Sequence, residues 1–476
     1  MNFSPTEEQI AAVAAAKDTD DNLIIQALAG AAKTSTLILI AEALSTTSIL
    51  ALAFNKKIAV EMQQRLPPNC QAMTLNALGH RTWMEATGRR FKVETSKTYD
   101  IMKELVEDLG PEDKKEAYDR FSELIRLVGF GKACGYIPSG HYDRARRLMD
   151  DESFFAHIEQ QLTDVERDLV TKATLISLDQ SFKGLIDFDD QVLMPTIFQG
   201  AFPRYPLVLI DEAQDLSALN HATLHKLAKR RLIAVGDSRQ AIYGFRGAHE
   251  DSMSVLQQSF SMKELNLSIS FRCPEAIVEH ARWRAPHMKA FRSGGSVNKL
   301  DLWSAHDLPE VAAIICRNNA PLFSIAIKLL KAGRSCEIGN SDIAKVLAKT
   351  MSKLGKPNML KAELISAIDR WEEKEKNKNK KRAHGGIADR AACMRVFAEQ
   401  GDNLGEAIAY ANHLASQVGS LKLLTGHKSK GLEFDDVFFL DEELVGPEDQ
   451  DPNLRYVIIT RAKNSLTYIR SADYVE

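Results

Sequence analysis

A short apolar stretch followed by two acids constrains this chain more than any other feature of its sequence. Leu207–Ile210 is a run of four apolar residues, and it is followed directly by Asp211 and Glu212. Such a run predicts a strand that is buried on both faces, as in a parallel α/β sheet. Open α/β sheets bind ligands at the carboxyl ends of their strands. One carboxylate there can hold Mg²⁺ while the other polarises an attacking water, although an isolated Asp-Glu pair equally suits a polar turn.

The composition is that of an ordinary globular protein and excludes several classes. The chain has 476 residues, enough for about two to four domains. Its net charge of −3 provides no general basic field, so a nucleic-acid site must be a local groove. Six scattered cysteines without a Cys-x-x-Cys pair favour reduced thiols and an intracellular protein over disulfides or zinc. Neither a signal peptide nor an apolar run of about 20 residues is evident, so we expect no membrane association.

A phosphate-binding loop is predicted near the N-terminus. Asn22–Gln26 predicts a strand and Ser35–Leu44 predicts a helix, with a loop of small residues and Lys-Thr between them. This is the context that a phosphate loop requires, because its amides and the helix N-terminus attract phosphates. Lys33 would reach the β- and γ-phosphates, and Thr34 would ligate Mg²⁺. Ala32 occupies the place of the motif's final glycine, so it must adopt a backbone conformation that an alanine can hold.

The N-terminal segment predicts a helix that carries a candidate base-reading side chain. Ser4 is expected as the N-cap, Pro5 in the first turn, and Glu7 as the residue that closes a capping box. Gln9 lies on this helix, and its amide can bond the edge of a base. A solvated glutamine is the alternative.

Aromatic and basic residues follow two further predicted strands. Phe54 is followed by Asn55, Lys56 and a second lysine, a combination that can stack a base and hold a phosphate, or simply begin a helix. After the strand Arg231–Val235, Gln240 is placed to sense a phosphate. The residues that follow Gln240 offer two rings for stacking and a cation, with core packing as the alternative for the rings; they are Tyr243, Phe245 and Arg246.

Several blocks of sequence, taken in order, resemble superfamily-1 helicases of the UvrD/Rep type. They are Asp-Glu-Ala-Gln-Asp at 211–215, Gly-Asp-x-x-Gln-x-Ile-Tyr-x-Phe-Arg-Gly-Ala at 236–248, Gly-His-Lys-Ser-Lys-Gly-Leu-Glu-Phe-Asp at 426–435 and Thr-Arg-Ala-Lys at 460–463. Ile-Asp-Phe-Asp-Asp at 186–190 also resembles the family. Ala-Phe-Asn-Lys-Lys at 53–57 is similar to the phage and F-box helicase branch. The resemblance covers nearly the whole chain apart from the helical insertions.

The resemblance implies an α/β protein with two RecA-like P-loop domains, helical insertions and ATP in the cleft between the domains. Single-stranded DNA would run across the top of both. The expected boundaries are 1–94 and 182–275 for the N-terminal domain, 95–181 for its helical insertion, 276–340 and 413–476 for the C-terminal domain, and 341–412 for a short, charged helical insertion. In this last segment, residues 372–382 are expected to be a solvated helix end or a mobile loop, with a duplex contact as the alternative.

The same resemblance assigns roles to individual residues. The catalytic set is Glu212 as the water-activating carboxylate, Gln240 as the γ-phosphate sensor, and Arg272 and Arg461 as the two arginines supplied by the second domain and the motifs flanking the cleft. Nucleotide binding is assigned to Gln9, Ala29, Gly30, Ala31, Ala32, Lys33, Thr34, Ser35, Asp211, Phe271 and Glu433, with Thr34 and Asp211 as Mg²⁺ ligands. DNA binding is assigned to Phe54, Asn55, Lys56, Asn76, His80, Tyr243, Phe245, Arg246, Thr425 and His427.

These assignments predict an ATP- and Mg²⁺-dependent DNA helicase that moves 3′ to 5′ on single strands and unwinds duplexes. The alternatives are a DNA-stimulated ATPase that translocates or strips proteins without unwinding, and a non-catalytic, nucleotide-gated DNA-binding protein. Single-stranded DNA and single-strand/duplex junctions are the expected substrates of a monomer, with replication, repair or recombination proteins as partners. The expected location is the cytoplasm, at the nucleoid or as a phage product in a bacterial host, or the nucleus in a eukaryote.

Overall fold

Two compact units make up the chain. The computed structural model describes residues 4–158, 161–244, 247, 251–339, 341–378, 384–447 and 451–475. The first unit comprises Met1–Ala27, Ala32–Ile158 and Leu162–Leu267; the second comprises Leu28–Ala31, Glu159–Gln161 and Ser268–Glu476. Each unit contains one six-stranded parallel sheet, which confirms the predicted α/β class.

The sheet of the first unit brings the two predicted motifs together. Its strand order is β3-β2-β6-β7-β1-β8. In register, Ile210 of β6 pairs with Ala234 of β7, and Gln26 of β1 pairs with Gly236 of β7. The carboxyl ends of β1, β7 and β6 therefore lie side by side, as sequence order alone could not show. The strands of this unit are β1 Leu23–Ala27, β2 Ile49–Leu52, β3 Cys70–Met73, β4 Lys92–Val93, β5 Leu185–Ile186, β6 Tyr205–Ile210, β7 Ala228–Gly236 and β8 Lys263–Leu267.

Helices cover this sheet and form a separate apolar core in the predicted insertion. Alternate residues of β1, β2, β6 and β7 supply one buried cluster, which includes Ile24, Leu50 and Val208. A second cluster lies within the insertion and includes Leu124 and Phe154. The helices are α1 Glu7–Asp18, α2 Lys33–Ala43, α3 Lys56–Arg65, α4 Leu75–Thr87, α5 Lys97–Glu107, α6 Pro111–Asp119, α7 Phe121–Cys134, α8 Asp151–His157, α9 Asp164–Lys183, α10 Asp190–Ile197, α11 Ala218–Leu227 and α12 Ser252–Ser259.

The second unit has its own sheet, with strand order β11-β16-β15-β12-β14-β13. A short pair, β9 with β10, precedes it in the chain. The strands are β9 Ile269–Ser270, β10 Lys289–Ala290, β11 Ser296–Lys299, β12 Ala312–Cys316, β13 Cys336–Ile338, β14 Leu421–Thr425, β15 Phe434–Leu440 and β16 Ala462–Ile469. The helices are α13 Glu275–Ala281, α14 Asn319–Lys331, α15 Ser341–Met351, α16 Lys361–Lys378, α17 His384–Ala398, α18 Leu404–Ala415, α19 Gly426–Ser429 and α20 Asp451–Ile459.

The charged helical segment of the second unit shares a core with its sheet. Helices α15 to α18 contribute apolar side chains to the same buried cluster as β12 and α14. The rings of Phe323 on α14 and Phe397 on α17 have their centroids 5.0 Å apart. Asp389 on α17 accepts hydrogen bonds from the backbone N–H groups of Asn319 and Ala320, at the start of α14. A carboxylate there satisfies amides that the helix leaves unpaired, so these helices are fixed to the body of the unit.

Candidate nucleotide and DNA site

The helix that begins with Lys33 starts from an unusual backbone conformation. Ala32 is the N-cap of α2 and has φ 55° and ψ 43°, in the left-handed region. This conformation costs an L-residue about 1–2 kcal/mol, which explains why the motif usually has glycine there. The Ala32 carbonyl accepts hydrogen bonds from the backbone N–H and the hydroxyl of Thr36. Ala32 therefore adopts the left-handed backbone conformation at the position where the motif usually has glycine.

Two pairs of polar side chains meet where β6 ends and α2 begins. The Lys33 ammonium lies 3.0 Å from Glu212 Oε2. The Thr34 hydroxyl donates a hydrogen bond to Asp211 Oδ2 at 2.5 Å. The structure thus brings together the residues predicted to bind phosphate, hold Mg²⁺ and activate water. Ser35 follows them, and its hydroxyl accepts a hydrogen bond from Arg65.

The electrostatics of this cluster are those of a site built around a cation. Burial lowers the pKa of Lys33, but the carboxylates of Glu212, Asp237 and Asp211 outweigh burial and raise it above its ordinary value. Burial and, to a smaller extent, the neighbouring Glu212 raise the pKa of Asp211 to about 6, although Thr34 and Lys33 act in the opposite direction. Burial also raises the pKa of Asp237. Three carboxylates around one lysine leave an excess of negative charge that a divalent cation would neutralise.

The residues present fit a magnesium nucleotide. Mg²⁺ prefers oxygen ligands, and it is usually held by one or two protein side chains together with phosphates and water. Thr34 and Asp211 are already in hydrogen-bonding contact, so both oxygens can face one ion. Among the described residues, no group of three or more His, Cys, Asp or Glu side chains is arranged to hold a metal ion. The set is therefore an incomplete one that a ligand's phosphates would complete.

Gln214 is a buried member of the site that the sequence analysis did not single out. Its amide Nε2 donates to Glu212 Oε2 at 2.6 Å, and its Oε1 accepts from the backbone N–H of Asp237 at 3.0 Å. The carboxylate of Asp237 in turn accepts from Gln240 Nε2 at 2.7 Å. Glu212 itself has φ 53°, a strained conformation for a residue other than glycine. The sequence shows only a glutamine within the acidic motif at 211–215. Its burial and its hydrogen bonds show that it connects Glu212 to Asp237.

The expected cap of the first helix was wrong by two residues. Thr6, not Ser4, is the N-cap of α1, and Gln9, not Glu7, completes the capping box. The Gln9 amide accepts from Thr6 N–H and donates from Nε2 to the Thr36 hydroxyl at 3.0 Å. Gln9 is buried rather than solvated, and it lies against the helix that begins with Lys33.

The rest of the predicted phosphate loop groups with the second unit. Ala29, Gly30 and Ala31 lie in the segment Leu28–Ala31. Gly30 has φ 73°, and a Cβ atom there would lie 2.6 Å from the Ser270 hydroxyl oxygen. Only glycine fits this position, because both the backbone angle and the close approach exclude a side chain.

Within the second unit, the predicted arginines are held by different partners. Arg272 Nε lies 2.8 Å from Glu433 Oε2, so two residues assigned to the nucleotide already pair. Arg461 is buried, and its guanidinium donates to the carbonyls of Val457 and Leu432. Residues 455–463 predict a helix that carries Arg461, which was wrong: α20 ends at Ile459. Arg461 lies between α20 and β16, and its guanidinium folds back onto the last turn of the helix.

The remaining second-unit residues occupy the ends of elements. The ring of Phe271, assigned to adenine, lies 4.8 Å from that of Phe291. Thr425 is the last residue of β14 and the N-cap of α19. His427 lies on that short helix.

Two rings predicted to stack on DNA face each other on the first unit. Phe54 is 49% exposed, so a base can reach its ring. Its ring and that of Tyr243 are 6.2 Å apart between centroids, with an angle of 3° between their planes. Asn55 caps α3, accepting from the backbone N–H of Ile58, and Lys56 begins that helix. The helix-start alternative is thus correct for Asn55, and it is compatible with an exposed Phe54. Phe245 and Arg246 lie outside the described residues.

The other first-unit DNA candidates lie on α4. Asn76 Nδ2 donates to the carbonyl of Phe188 at 2.6 Å. Burial lowers the pKa of His80, and its ring meets that of Phe91 edge-on. Phe188 itself is 57% exposed, and it is a further DNA-binding candidate to which the sequence assigned no role. The sequence shows an aromatic residue between two acids. That pattern does not tell an exposed ring from one in the core.

The turn that carries Phe188 is anchored by a buried network of charges. Lys97 Nζ lies 2.6 Å from Asp190 Oδ2, and Lys132 Nζ lies 2.8 Å from Asp190 Oδ1 and 2.5 Å from Asp187 Oδ2. The backbone N–H of each aspartate also donates to the carboxylate of the other. Two lysines from the insertion thereby neutralise two aspartates at the start of α10. Such a network contributes more to a defined geometry than to net stability.

Comparison with known proteins agrees with the geometry. A model of the UvrD/REP helicase N-terminal domain matches residues 6–261, and a model of the UvrD-like helicase C-terminal domain matches residues 421–468. The first match alone covers more than half of the chain. The chain belongs to the UvrD/REP helicase family. Both acidic and basic members of the nucleotide cluster fall inside the N-terminal match.

Individual relatives of this UvrD/REP family member are distant and longer. The F-box DNA helicase protein 1 of Schizosaccharomyces pombe is 23% identical over 97% of this chain and 57% of its own length. The F-box DNA helicase 1 of Gallus gallus is 25% identical over 95% of this chain and 47% of its own. DNA helicase II of Escherichia coli is 26% identical over 58% of this chain and 40% of its own. The chain thus spans about half the length of the F-box relatives. No helix among its described residues is long and apolar enough to cross a bilayer.

Proposed function

We propose that this protein is an ATP-dependent DNA helicase that couples ATP hydrolysis to 3′-to-5′ movement on single-stranded DNA. One observation carries the proposal: the Lys33–Glu212 and Thr34–Asp211 contacts, at 3.0 and 2.5 Å, bring the start of α2 against the residues that follow β6. Relatives named as DNA helicases support the choice of DNA as the substrate.

Each residue of the cluster suits one task in phosphoryl transfer. Lys33 would bind phosphate oxygens by its charge, and Thr34 and Asp211 would hold a Mg²⁺ ion, which would supply positive charge beside the phosphates. Glu212 is the base: its carboxylate orients the attacking water and accepts its proton. Gln240 lies one hydrogen bond from Asp237 and is the proposed phosphate sensor. Arg272 and Arg461 are proposed to act in the same reaction as transition-state cations.

The DNA grip is proposed to be a narrow stacking track. Phe54 and Tyr243 are its first members because their parallel rings present faces on which any base can stack. Exposed Phe188, whose carbonyl Asn76 holds, is a further candidate. The net charge of −3 excludes binding by a general positive field.

A strand-displacement assay with forked and tailed duplexes tests this function. We expect ATP-dependent unwinding of a duplex with a 3′ single-stranded tail and none of the duplex with only a 5′ tail. Unwinding from the 5′ tail alone would overturn the direction. Absence of unwinding together with DNA-stimulated ATP hydrolysis would favour the second candidate, a translocating ATPase. That candidate is favoured by helices α15 to α18, which are fixed in the core of the second unit rather than forming a separate accessory domain. Absence of hydrolysis would leave only a nucleotide-gated binding protein.

A further inference from the structure

One glutamine side chain connects the ends of two neighbouring strands in the first unit. Gln214 is 1% exposed. Its Nε2 donates to Glu212 Oε2 at 2.6 Å and to Asp215 Oδ2 at 3.3 Å, while its Oε1 accepts from Asp237 N–H at 3.0 Å. Glu212 follows β6 and Asp237 follows β7. A buried amide that uses both its donor and its acceptor in this way has a single orientation.

The connection continues from Asp237 toward the stacking rings. Asp237 Oδ1 accepts from Arg239 N–H at 3.1 Å, and Oδ2 accepts from Gln240 Nε2 at 2.7 Å. These bonds fix the short 3₁₀ turn Ser238–Gln240. Ile242, three residues after Arg239, is fully buried, and the next residue is Tyr243, whose ring faces Phe54. A hydrogen-bonded and buried path therefore leads from the proposed base to the proposed DNA grip.

The packing around Gln214 is close on the side of Gly236. Gly236, the last residue of β7, has no side chain, and a Cβ there would lie 2.6 Å from Gln214 Oε1 and 2.7 Å from Met253 Sδ. On the other side, Glu212 is held at φ 53°. A strained residue persists only where its surroundings determine it, and the Glu212 side chain contacts both Gln214 and Lys33.

We propose that Gln214 is a positioning residue that couples nucleotide occupancy to DNA affinity. Its hydrogen bonds fix the Glu212 carboxylate relative to the Ser238–Gln240 turn. A movement of the carboxylate therefore moves the turn, and a movement of the turn moves the carboxylate. The inference rests on the proposed function, because it assigns the base to Glu212 and the DNA grip to Tyr243. Coupling between two sites is reciprocal and typically changes affinity about 5- to 150-fold.

The test measures DNA affinity with and without nucleotide. The test variant is Gln214→Met, which keeps the side-chain length but removes donor and acceptor; Gln180→Leu, a glutamine of α9 away from both sites, is the control. Anisotropy of a labelled oligothymidine gives the dissociation constant with Mg²⁺ alone and with Mg²⁺ and a non-hydrolysable ATP analogue. In the wild type and the control, we expect the analogue to change the dissociation constant about 5-fold or more. In Gln214→Met, the dissociation constants with and without the analogue should agree within about 2-fold.

Gln214→Glu keeps the inference testable if Gln214→Met fails to fold. It retains an acceptor for Asp237 N–H but replaces the donor to Glu212 by a second carboxylate, so it should also lose the nucleotide effect. A folded variant of either kind that keeps the wild-type ratio overturns the inference, as does a wild type whose DNA affinity ignores the analogue. Either result can occur while wild-type ATP hydrolysis is still stimulated by DNA, in which case the proposed function stands. A wild type without DNA-stimulated hydrolysis overturns the function instead.

Discussion

The rings of Phe54 and Tyr243 lie parallel, with 3° between their planes and 6.2 Å between their centroids. The two rings therefore present parallel faces, and every base has a face that can stack on an aromatic ring. The two rings come from different strand ends, so the fold creates a surface that neither segment holds alone.

Replacing either ring should weaken DNA binding without harming the fold. Stacking contributes about 1–3 kcal/mol per base, so Phe54→Ala or Tyr243→Ala should raise the dissociation constant for oligothymidine roughly 5- to 150-fold. Fluorescence titration measures it, and DNA-free ATP hydrolysis should change little. Val60→Ala, another exposed apolar residue of the first unit, is the control. A lowered melting temperature with unchanged affinity would show that the ring is only structural.

Arg461→Ala should lower turnover far more than ATP affinity. A transition-state arginine contributes about 10³–10⁵ in rate, and such an interaction is absent from the ground state. The side chain also donates to the carbonyls of Val457 and Leu432, so the variant will lose some stability. Arg461→Lys, which keeps the charge, separates the two effects. Equal losses in nucleotide binding and turnover, tracking the melting temperature, would mean that Arg461 is structural.

Asp211→Asn should stabilise the protein when nucleotide and Mg²⁺ are absent. The pKa of Asp211 is raised to about 6 in the folded protein, above its unfolded value of about 4. The folded state then binds more protons than the unfolded state across this window, so the free energy of unfolding falls as pH rises through it. At pH 7.5, the variant should gain on the order of 1–3 kcal/mol by urea unfolding. The gain should vanish near pH 4; a gain that is equal at both pH values would contradict the assignment.

The buried network should show a characteristic pattern of stabilities. Lys132→Met leaves Asp187 and Asp190 with a single lysine, and an unpaired buried charge typically costs about 3–5 kcal/mol. The double change Lys132→Met with Asp187→Asn keeps a neutral Lys97–Asp190 pair and should cost less than the single change. Urea unfolding measures both, with exposed Lys172→Met as the control. A double variant less stable than the single one would rule out charge imbalance as the cause.

The sequence predicted best what depends on local pattern. The apolar run before Asp211 proved to be the end of a buried strand, Tyr205–Ile210, because a strand covered on both faces must be apolar throughout. The sequence predicted the start of α1 less well, because two nearby residues can each serve as the N-cap. Ser4 and Thr6 both suit an N-cap, and Thr6 is the cap because Gln9 can complete its box and still reach Thr36.

What the sequence did not reveal depends on contacts between distant segments. Gln214 lies in the Asp-Glu-Ala-Gln-Asp motif and Phe188 in the Ile-Asp-Phe-Asp-Asp motif. The burial of Gln214 and the exposure of Phe188 follow only from packing. Likewise Arg461 lies past the end of α20, and its guanidinium donates to the carbonyl of Leu432, 29 residues earlier in the chain. Such choices are made by tertiary hydrogen bonds, which periodicity does not encode.

Steady-state ATP hydrolysis of the wild type and Glu212→Gln, with and without oligothymidine, tests whether Glu212 is the base of a DNA-stimulated ATPase. The wild type should hydrolyse ATP and be stimulated by the single strand. Glu212→Gln should lose about 10²–10⁴-fold of the stimulated rate, the usual contribution of a general base, while it still binds ATP, because Lys33, Thr34 and Asp211 remain. Near-normal turnover in this variant, or a wild type that hydrolyses no ATP in the presence of DNA, would contradict the account.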